Sequence, residues 1–397
     1  RPSTRSRPRA ARSAASFDRT GSEGALRADG ARRPRPGASR REEDPLAKPT
    51  FERIAGRTYA ALGPANVGLY ALPEGAEAGS AQATAGGPGA SVARAAGGAP
   101  GAGAAPGGTR AAGAGDPGAP AGPAARGGLG ACVLIDAGSD DDAGRRLLRA
   151  AEELGRLPVL IANTHSNADH SGGNAFIQAR TGCGVAATRA EAAFIETPIL
   201  EPSYLWGGGP PAVLRNKFLM AKASRVTTIL EPPCQVAGTG IEALPLPGHF
   251  FGMAGFMTPD RVFFAADTVA SPEILAKYHV FYLHDVGAQL ATLEALERLE
   301  ADWIVPSHAP PTRDIRPLVE ANRGKILEIA SFLLDTLAES RRHEELLALL
   351  AGRYGIELNH TQYALVGSTL KSYLSWLSDK GEIETRLEQG FLVARRL

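Results

Sequence analysis

From Ala76 to Gly130, 43 of 55 residues are Ala, Gly or Pro, and Val92 and Leu129 are the sizeable apolar side chains in that span. Such a segment cannot bury enough surface to offset the entropy of ordering it, so it is expected to lie outside any core as a disordered Ala/Gly-rich insertion. Residues 1–50 are also poor in periodic apolar positions and carry 13 Lys and Arg against 6 Asp and Glu. They read as a disordered basic tail. Their Arg- and Ser-rich composition also resembles an organelle transit peptide, although the prolines weaken the amphipathic helix such a peptide needs. Setting both regions aside leaves about 290 residues, enough for one large domain and a small one.

The tail holds the basic charge. With 30 basic against 36 acidic side chains, residues 51–397 are net −6, which disfavours a nucleic-acid surface. Apolar runs are broken by charge, Gly or Pro before they reach the roughly 18 residues of a membrane span, so no membrane association is expected. Cys132, Cys183 and Cys234 are odd in number, widely spaced and without a C-x-x-C pair. They suit a reducing, cytoplasmic compartment and read as small buried apolar groups.

Order begins near Phe51. Thr58 to Leu62, Asn66 to Leu72 and Ala131 to Asp136 read as strands, so the Ala/Gly-rich tract interrupts a strand-to-strand connection. A crossover helix over Asp140 to Leu154 and a strand over Pro158 to Asn163 follow. Further strands are expected at Cys183 to Thr188, Val226 to Leu230, Ile241 to Leu246, Gly252 to Thr258, Arg261 to Ala266 and Asp302 to Pro306, with a helix over Val286 to Leu299. Strands alternating with helices in both halves indicate α/β layers with helices covering sheets. Between Ile199 and Ser224, Tyr204, Trp206 and the run from Gly207 to Pro211 suggest a mobile connection or lid. From residue 316 onward the pattern is a linker helix (Pro317 to Glu339), helices at Glu344 to Tyr354, Thr361 to Leu365 and Ser368 to Lys380, and a hairpin from Glu382 to Arg395. That is the order of a winged helix.

The densest polar cluster runs from Thr164 to Gly173, between a buried strand and a helical pattern, and holds His165, Asn167, Asp169 and His170. A strand-to-helix loop can turn these toward one point, whereas positions i and i+2 of a regular helix face apart. Converging nitrogen and oxygen donors are what Zn²⁺ or another first-row divalent ion requires. Three further polar residues, His249, Asp267 and His308, each stand at the end of an apolar run. Strand-end positions on one edge of layered sheets commonly form a site, whereas inside the strands such residues are buried at a cost.

In order and spacing, H-x-N-x-D-H-S-G-G followed by G-H, a strand-terminal Asp and S-H resembles the metallo-β-lactamase superfamily, whose signature is H-x-H-x-D-H with the same three downstream ligands. The match spans roughly Thr58 to Arg313, giving a catalytic domain over 51–315. The tail is similar to extensions on some members. The resemblance implies a four-layer αββα sandwich with the site along one edge of its two sheets. It also implies a first metal site of His165, residue 167 and His249, and a second of Asp169, His170 and His308, with Asp267 bridging. Asn167 departs from the pattern. A neutral carbonyl oxygen donates less strongly than an imidazole, so the first site is expected to be weakened and the second intact. Asn167 is alternatively a hydrogen-bond partner for a bound water or substrate.

The implied chemistry is hydrolysis by a metal-activated water, with Asp169 orienting the water or taking its proton, and with one or two ions of zinc, or of iron or manganese. A small ester, thioester or lactone with an apolar part is the expected substrate class. Tyr204, Trp206, Tyr278 and His284 are candidate substrate contacts. Two alternatives are a non-catalytic metal or ligand sensor and an iron-dependent oxidoreductase on the same scaffold. DNA binding by the tail is disfavoured, because Ser368 to Lys380 supplies Lys371 and otherwise packing residues. Packing, gating or homodimer formation through the C-terminal domain is expected instead.

Overall fold

The computed structural model describes residues 49–74 and 128–397. The basic tail and the Ala/Gly-rich tract expected over 1–50 and 76–130 lie outside the described residues, save for 49, 50 and 128–130. Seven strands form the first sheet in chain order: β1 (Phe51–Ala55), β2 (Thr58–Ala61), β3 (Val67–Ala71), β4 (Gly130–Ile135), β5 (Arg156–Ala162), β6 (Gly184–Thr188) and β7 (Thr228–Leu230). Pairing is antiparallel up to β4 and parallel from β4 to β7. The change follows from the connections: β4 and β5 are joined through the helix α1 (Asp141–Glu153), which the Asp140 carboxylate starts by accepting from Ala143 N at 2.9 Å. Along β4, Cys132 and Leu134 face one side of the sheet and Val133 and Ile135 the other, as the two-residue repeat of a strand requires.

After β5 come the short helix α2 (Ala168–Ser171), α3 (Asn174–Thr181), α4 (Arg189–Glu196) and α5 (Leu200–Trp206). The second sheet holds β8 (Cys234–Val236), β9 (Ile241–Pro245), β10 (Ala254–Met257), β11 (Val262–Ala270) and β12 (Trp303–His308), in the order β12-β11-β10-β9-β8. Its helices are α6 (Pro272–Tyr278), α7 (Val286–Glu297) and α8 (Arg316–Thr336). Val133, Ile135 and Leu160 of the first sheet meet Phe256, Val262 and Phe264 of the second in one buried cluster between the sheets. Leu134 and Ile161 pack outward against Leu147 of α1 and Ile177 of α3, while Phe263 and Ala265 pack outward against Leu293 of α7 and Val319 of α8. The chain is therefore a four-layer αββα sandwich.

Three expectations require correction. Asp267 does not end its strand: β11 continues to Ala270, and a register shift against β12, with Ala266 at φ 50, re-aims the strand at that point. The stretch from Ile199 to Ser224, read as a mobile connection or lid, carries secondary structure and packing of its own: α5 and a turn of 3₁₀ helix at Ala212–Leu214 lie in it, and Leu205, Leu214 and Leu219 share a buried cluster with Ala364. The two short helices expected at 361–365 and 368–380 are one helix, α10 (His360–Asp379), preceded by β13 (Arg341–Arg342) and α9 (His343–Tyr354). A strand pair, β14 (Ile383–Glu388) and β15 (Phe391–Arg396), completes a small sheet of order β13-β15-β14. Leu370, Tyr373, Leu374 and Leu377 of α10 are buried, and they share one apolar cluster with Phe250, Phe263 and Leu293. Among the described residues, one apolar cluster runs across the boundary expected at 315/316.

Candidate metal centre

The loop from Asn163 to Asn167 leaves the end of β5 and enters α2, and the Asp136 carboxylate at the end of β4 governs its shape. Asp136 accepts from Thr164 N and Thr164 Oγ1, both at 2.8 Å, and from His170 Nδ1 at 2.9 Å. Its own backbone sits at φ 66, which turns the carboxylate back over the strand ends. A second buried carboxylate, Glu191 of α4, accepts from Ser166 N at 2.8 Å and Gly252 N at 2.7 Å and so ties this loop to the one that carries His249. Gly248 makes that second loop feasible: at φ 132, a Cβ there would lie 2.4 Å from Gln289 Cα.

All four imidazoles are anchored through Nδ1, which leaves Nε2 for the centre. His170 uses Asp136, His165 uses Thr164 Oγ1 at 3.0 Å, His249 uses the Tyr282 carbonyl at 2.9 Å and His308 the Pro64 carbonyl at 2.7 Å. Around Asp267, His308 Nε2 lies at 3.1 Å, His170 Nε2 at 3.2 Å, His249 Nε2 at 3.7 Å and His165 Nε2 at 3.9 Å. Asp169 Oδ2 lies 3.5 Å from both His170 Nε2 and His308 Nε2. Asn167 Oδ1 lies 3.2 Å from His249 Nε2, and its Nδ2 donates to Glu201 at 2.9 Å.

All seven residues expected as ligands are thus brought together. The donor atoms of six of them fall into two groups, His165, His249 and Asp267 in one and Asp169, His170 and His308 in the other, each with ligand atoms within 4.8 Å of one another, and Asn167 Oδ1 stands beside His249 of the first. His165 Nε2, His170 Nε2 and Asp267 Oδ1 are buried without a hydrogen-bond partner. Interior polar atoms are rarely left in that state, and lone pairs converging on a common point suit a divalent cation with nitrogen and oxygen ligands. The residues present therefore fit a metal ion in both groups.

The electrostatics agree. Burial works against the charged form of His170, but Asp267, Asp169 and Asp136 together hold its pKa well above the ordinary value. His308 is pushed up to about 9 against the same desolvation, chiefly by Asp267. Burial would raise Asp267 and Asp169, but His308 and His170 hold Asp267 well below the usual carboxylate range, and His170 does the same for Asp169. His165 and His249 move down, mainly through desolvation. The centre is a concentration of carboxylates that draws positive charge, whether protons or a metal ion.

An apolar cleft opens on this centre, with Leu205, Phe218, Tyr278, Phe281, Tyr282 and Leu365 in its walls and Asn167, Asp169, His249 and Asp267 at its base. Among the described residues, its lining includes no lysine or arginine. Of the four aromatic and imidazole residues expected to contact substrate, Tyr278 is in the wall. Tyr204 and His284 are not: they bond to each other at 3.0 Å, with His284 stacked on Phe251. Trp206 is exposed and also outside the lining. Sequence reading missed Asp136, Glu191 and Glu201. Only Asp136 left a local signal, an acidic residue closing the otherwise apolar strand ACVLI. The two glutamates lie in helices with no pattern that distinguishes them from solvent-facing acids.

The chain matches the model of the metallo-beta-lactamase superfamily over residues 125–308. It is 45% identical over 56 residues to a hydroxyacylglutathione hydrolase of Rhodospirillum rubrum, a match that covers 14% of this chain and one fifth (20%) of that protein's length. A crystal structure of a beta-lactamase domain protein from Burkholderia ambifaria superposes with a TM-score of 0.60 at 14% identity, covering 87% of this chain and 94% of the other. A metallo-beta-lactamase family protein from Thermus thermophilus gives 0.54 at 20% identity, over 68% and 91% respectively.

Proposed function

We propose that this chain, which belongs to the metallo-β-lactamase superfamily, is a metal-dependent hydrolase of a small ester, thioester or lactone with an apolar part. The observation that carries the reading is the convergence of four Nδ1-anchored imidazoles on Asp267, with buried donor atoms that have no other partner. Zinc is the first choice of ion for this donor set, with iron and manganese compatible. Such an ion supplies Lewis acidity and acidifies a water toward a pKa of about 7.

The chain's own residues set the rest. Asp169, whose side chain is 44% exposed, is the carboxylate of the centre most open to the cleft, so it is placed to orient the attacking water and take its proton. Asp267, 11% exposed, lies between the two donor groups and holds them together. The apolar walls exclude water and bind a hydrocarbon portion of the substrate, and a lining without lysine or arginine provides no counter-charge for a carboxylate-bearing carrier. The 56-residue likeness to a hydroxyacylglutathione hydrolase supports including thioesters. Metal analysis of the purified protein, followed by a panel of neutral esters, thioesters and lactones, tests the reading. Turnover that stops on chelation and returns with added zinc, iron or manganese is expected. A metal-loaded protein inactive on all three classes would contradict it.

A further inference from the structure

Asn167 stands where the family pattern has an imidazole, and its carboxamide is held from both sides. Nδ2 donates to Glu201 Oε1 at 2.9 Å, while Oδ1 lies 3.2 Å from His249 Nε2. Because His249 Nδ1 meets the Tyr282 carbonyl, a neutral His249 presents a bare lone pair at Nε2. Two acceptor atoms then face one another, an arrangement that repels unless a cation lies between them. Two donors of one ion stand in such a relation. Glu201 is 6% exposed and sits beside Leu205 in a mostly apolar cleft wall, where a carboxyl group is costly without a polar partner. Asn167 is that partner.

We propose that Glu201 is a positioning residue for the first metal site: by accepting from Asn167 Nδ2 it selects the amide rotamer that aims Oδ1 at the point shared by His165, His249 and Asp267. A neutral oxygen thereby becomes the fourth donor of a mixed nitrogen and oxygen set. Exchanging an imidazole for an amide oxygen shifts that site toward harder divalent ions such as Mn²⁺ or Fe²⁺, while Asp169, His170 and His308 keep the second site unchanged. The inference rests on the metal-dependent reading above.

Cobalt(II) titration of metal-free protein, followed by its visible absorption and by metal content after dialysis, separates the two. Glu201→Leu keeps the volume but removes the acceptor, and should weaken the first site by about 10- to 100-fold while one ion stays bound. Glu201→Gln keeps a carbonyl acceptor and should restore most of that affinity. In Asn167→His/Glu201→Leu the first site no longer needs Glu201, so two tightly bound ions are expected. Circular dichroism monitors folding. Should Glu201→Leu fail to fold, Asn167→Leu removes the oxygen directly and should cost the first site a similar factor. Two ions bound with wild-type affinity in folded Glu201→Leu or Asn167→Leu would overturn the inference. Wild-type protein that binds no cobalt at all would instead overturn the metal-dependent reading.

Discussion

Each imidazole of the centre is fixed by a partner outside the motif, and the consequences differ by partner. Asp136 accepts from Thr164 N, Thr164 Oγ1 and His170 Nδ1, so Asp136→Ala should release His170 and Thr164 together and lower second-site metal affinity by about 10- to 100-fold, measured by zinc competition. Asp169→Ala, by contrast, should abolish turnover with the fold and the thermal midpoint close to wild type, because this side chain faces the cleft rather than the core. The metal-free protein also has a pH signature. Burial pushes the Glu201 carboxyl up to about 8, and the carboxylates beside His308, opposing burial, raise it to about 9. The native state then holds the Glu201 proton from about pH 4.5 to 8 and the His308 proton from about 6.5 to 9 after the unfolded chain has released them, so each contribution to stability falls as pH rises through its window. A denaturant midpoint of chelated protein that climbs from pH 6.5 to 9 would contradict this. The motif residues were legible because they cluster in sequence or stand at the ends of apolar runs. The roles of Asp136, Glu191 and Glu201 were not, since they accept hydrogen bonds from residues 25 to 61 positions away.

At the scale of elements, the site depends on how loops leave strands. Gly248 is the clearest case: Gly248→Ala would push a Cβ into the Gln289 backbone at a φ that side chains avoid, and should cost about 1–3 kcal/mol while displacing His249. Urea denaturation measures the first effect and first-site metal content the second. Continuous apolar runs identified β4 and β5, and a helical apolar repeat the crossover helix between them, because a strand buried on both faces and an amphipathic helix leave different apolar patterns. Short elements escaped. β1, β8 and β13, of five, three and two residues, each stand at the edge of a sheet, where a neighbouring strand offers its free edge. The bulge at Ala266 was hidden for a related reason, since VFFAAD reads as a strand stopping at its polar residue, whereas pairing with β12 carries the chain on to Ala270.

Across the molecule, the inter-sheet core and the outer core on α7 and α8 together determine whether the edge that carries the centre exists. Val133→Ala, in the packed layer between the sheets, should cost about 1–3 kcal/mol, seen as a lowered denaturation midpoint. The outer core runs without a break from Phe263 and Leu293 into Leu346, Leu370 and Ile383, so truncation after residue 315 should yield an insoluble or molten product. A truncated chain with a sharp unfolding transition would show otherwise. Among the described residues, no helix is long and apolar enough to cross a membrane. Local pattern sufficed to specify layered α/β architecture and to single out the polar residues of one loop and of the strand ends, because strand periodicity and motif spacing are short-range properties of the chain; their expected roles as ligands, and the oddity at Asn167, came from the resemblance to the metallo-β-lactamase superfamily. Tertiary packing alone decided that Glu201 meets Asn167, that Tyr204 and His284 turn to each other instead of to the cleft, and that the last 80 or so residues share one core with the second sheet. Those outcomes depend on which buried polar and apolar surfaces find partners far away along the chain, a balance of desolvation and contact that no local stretch encodes.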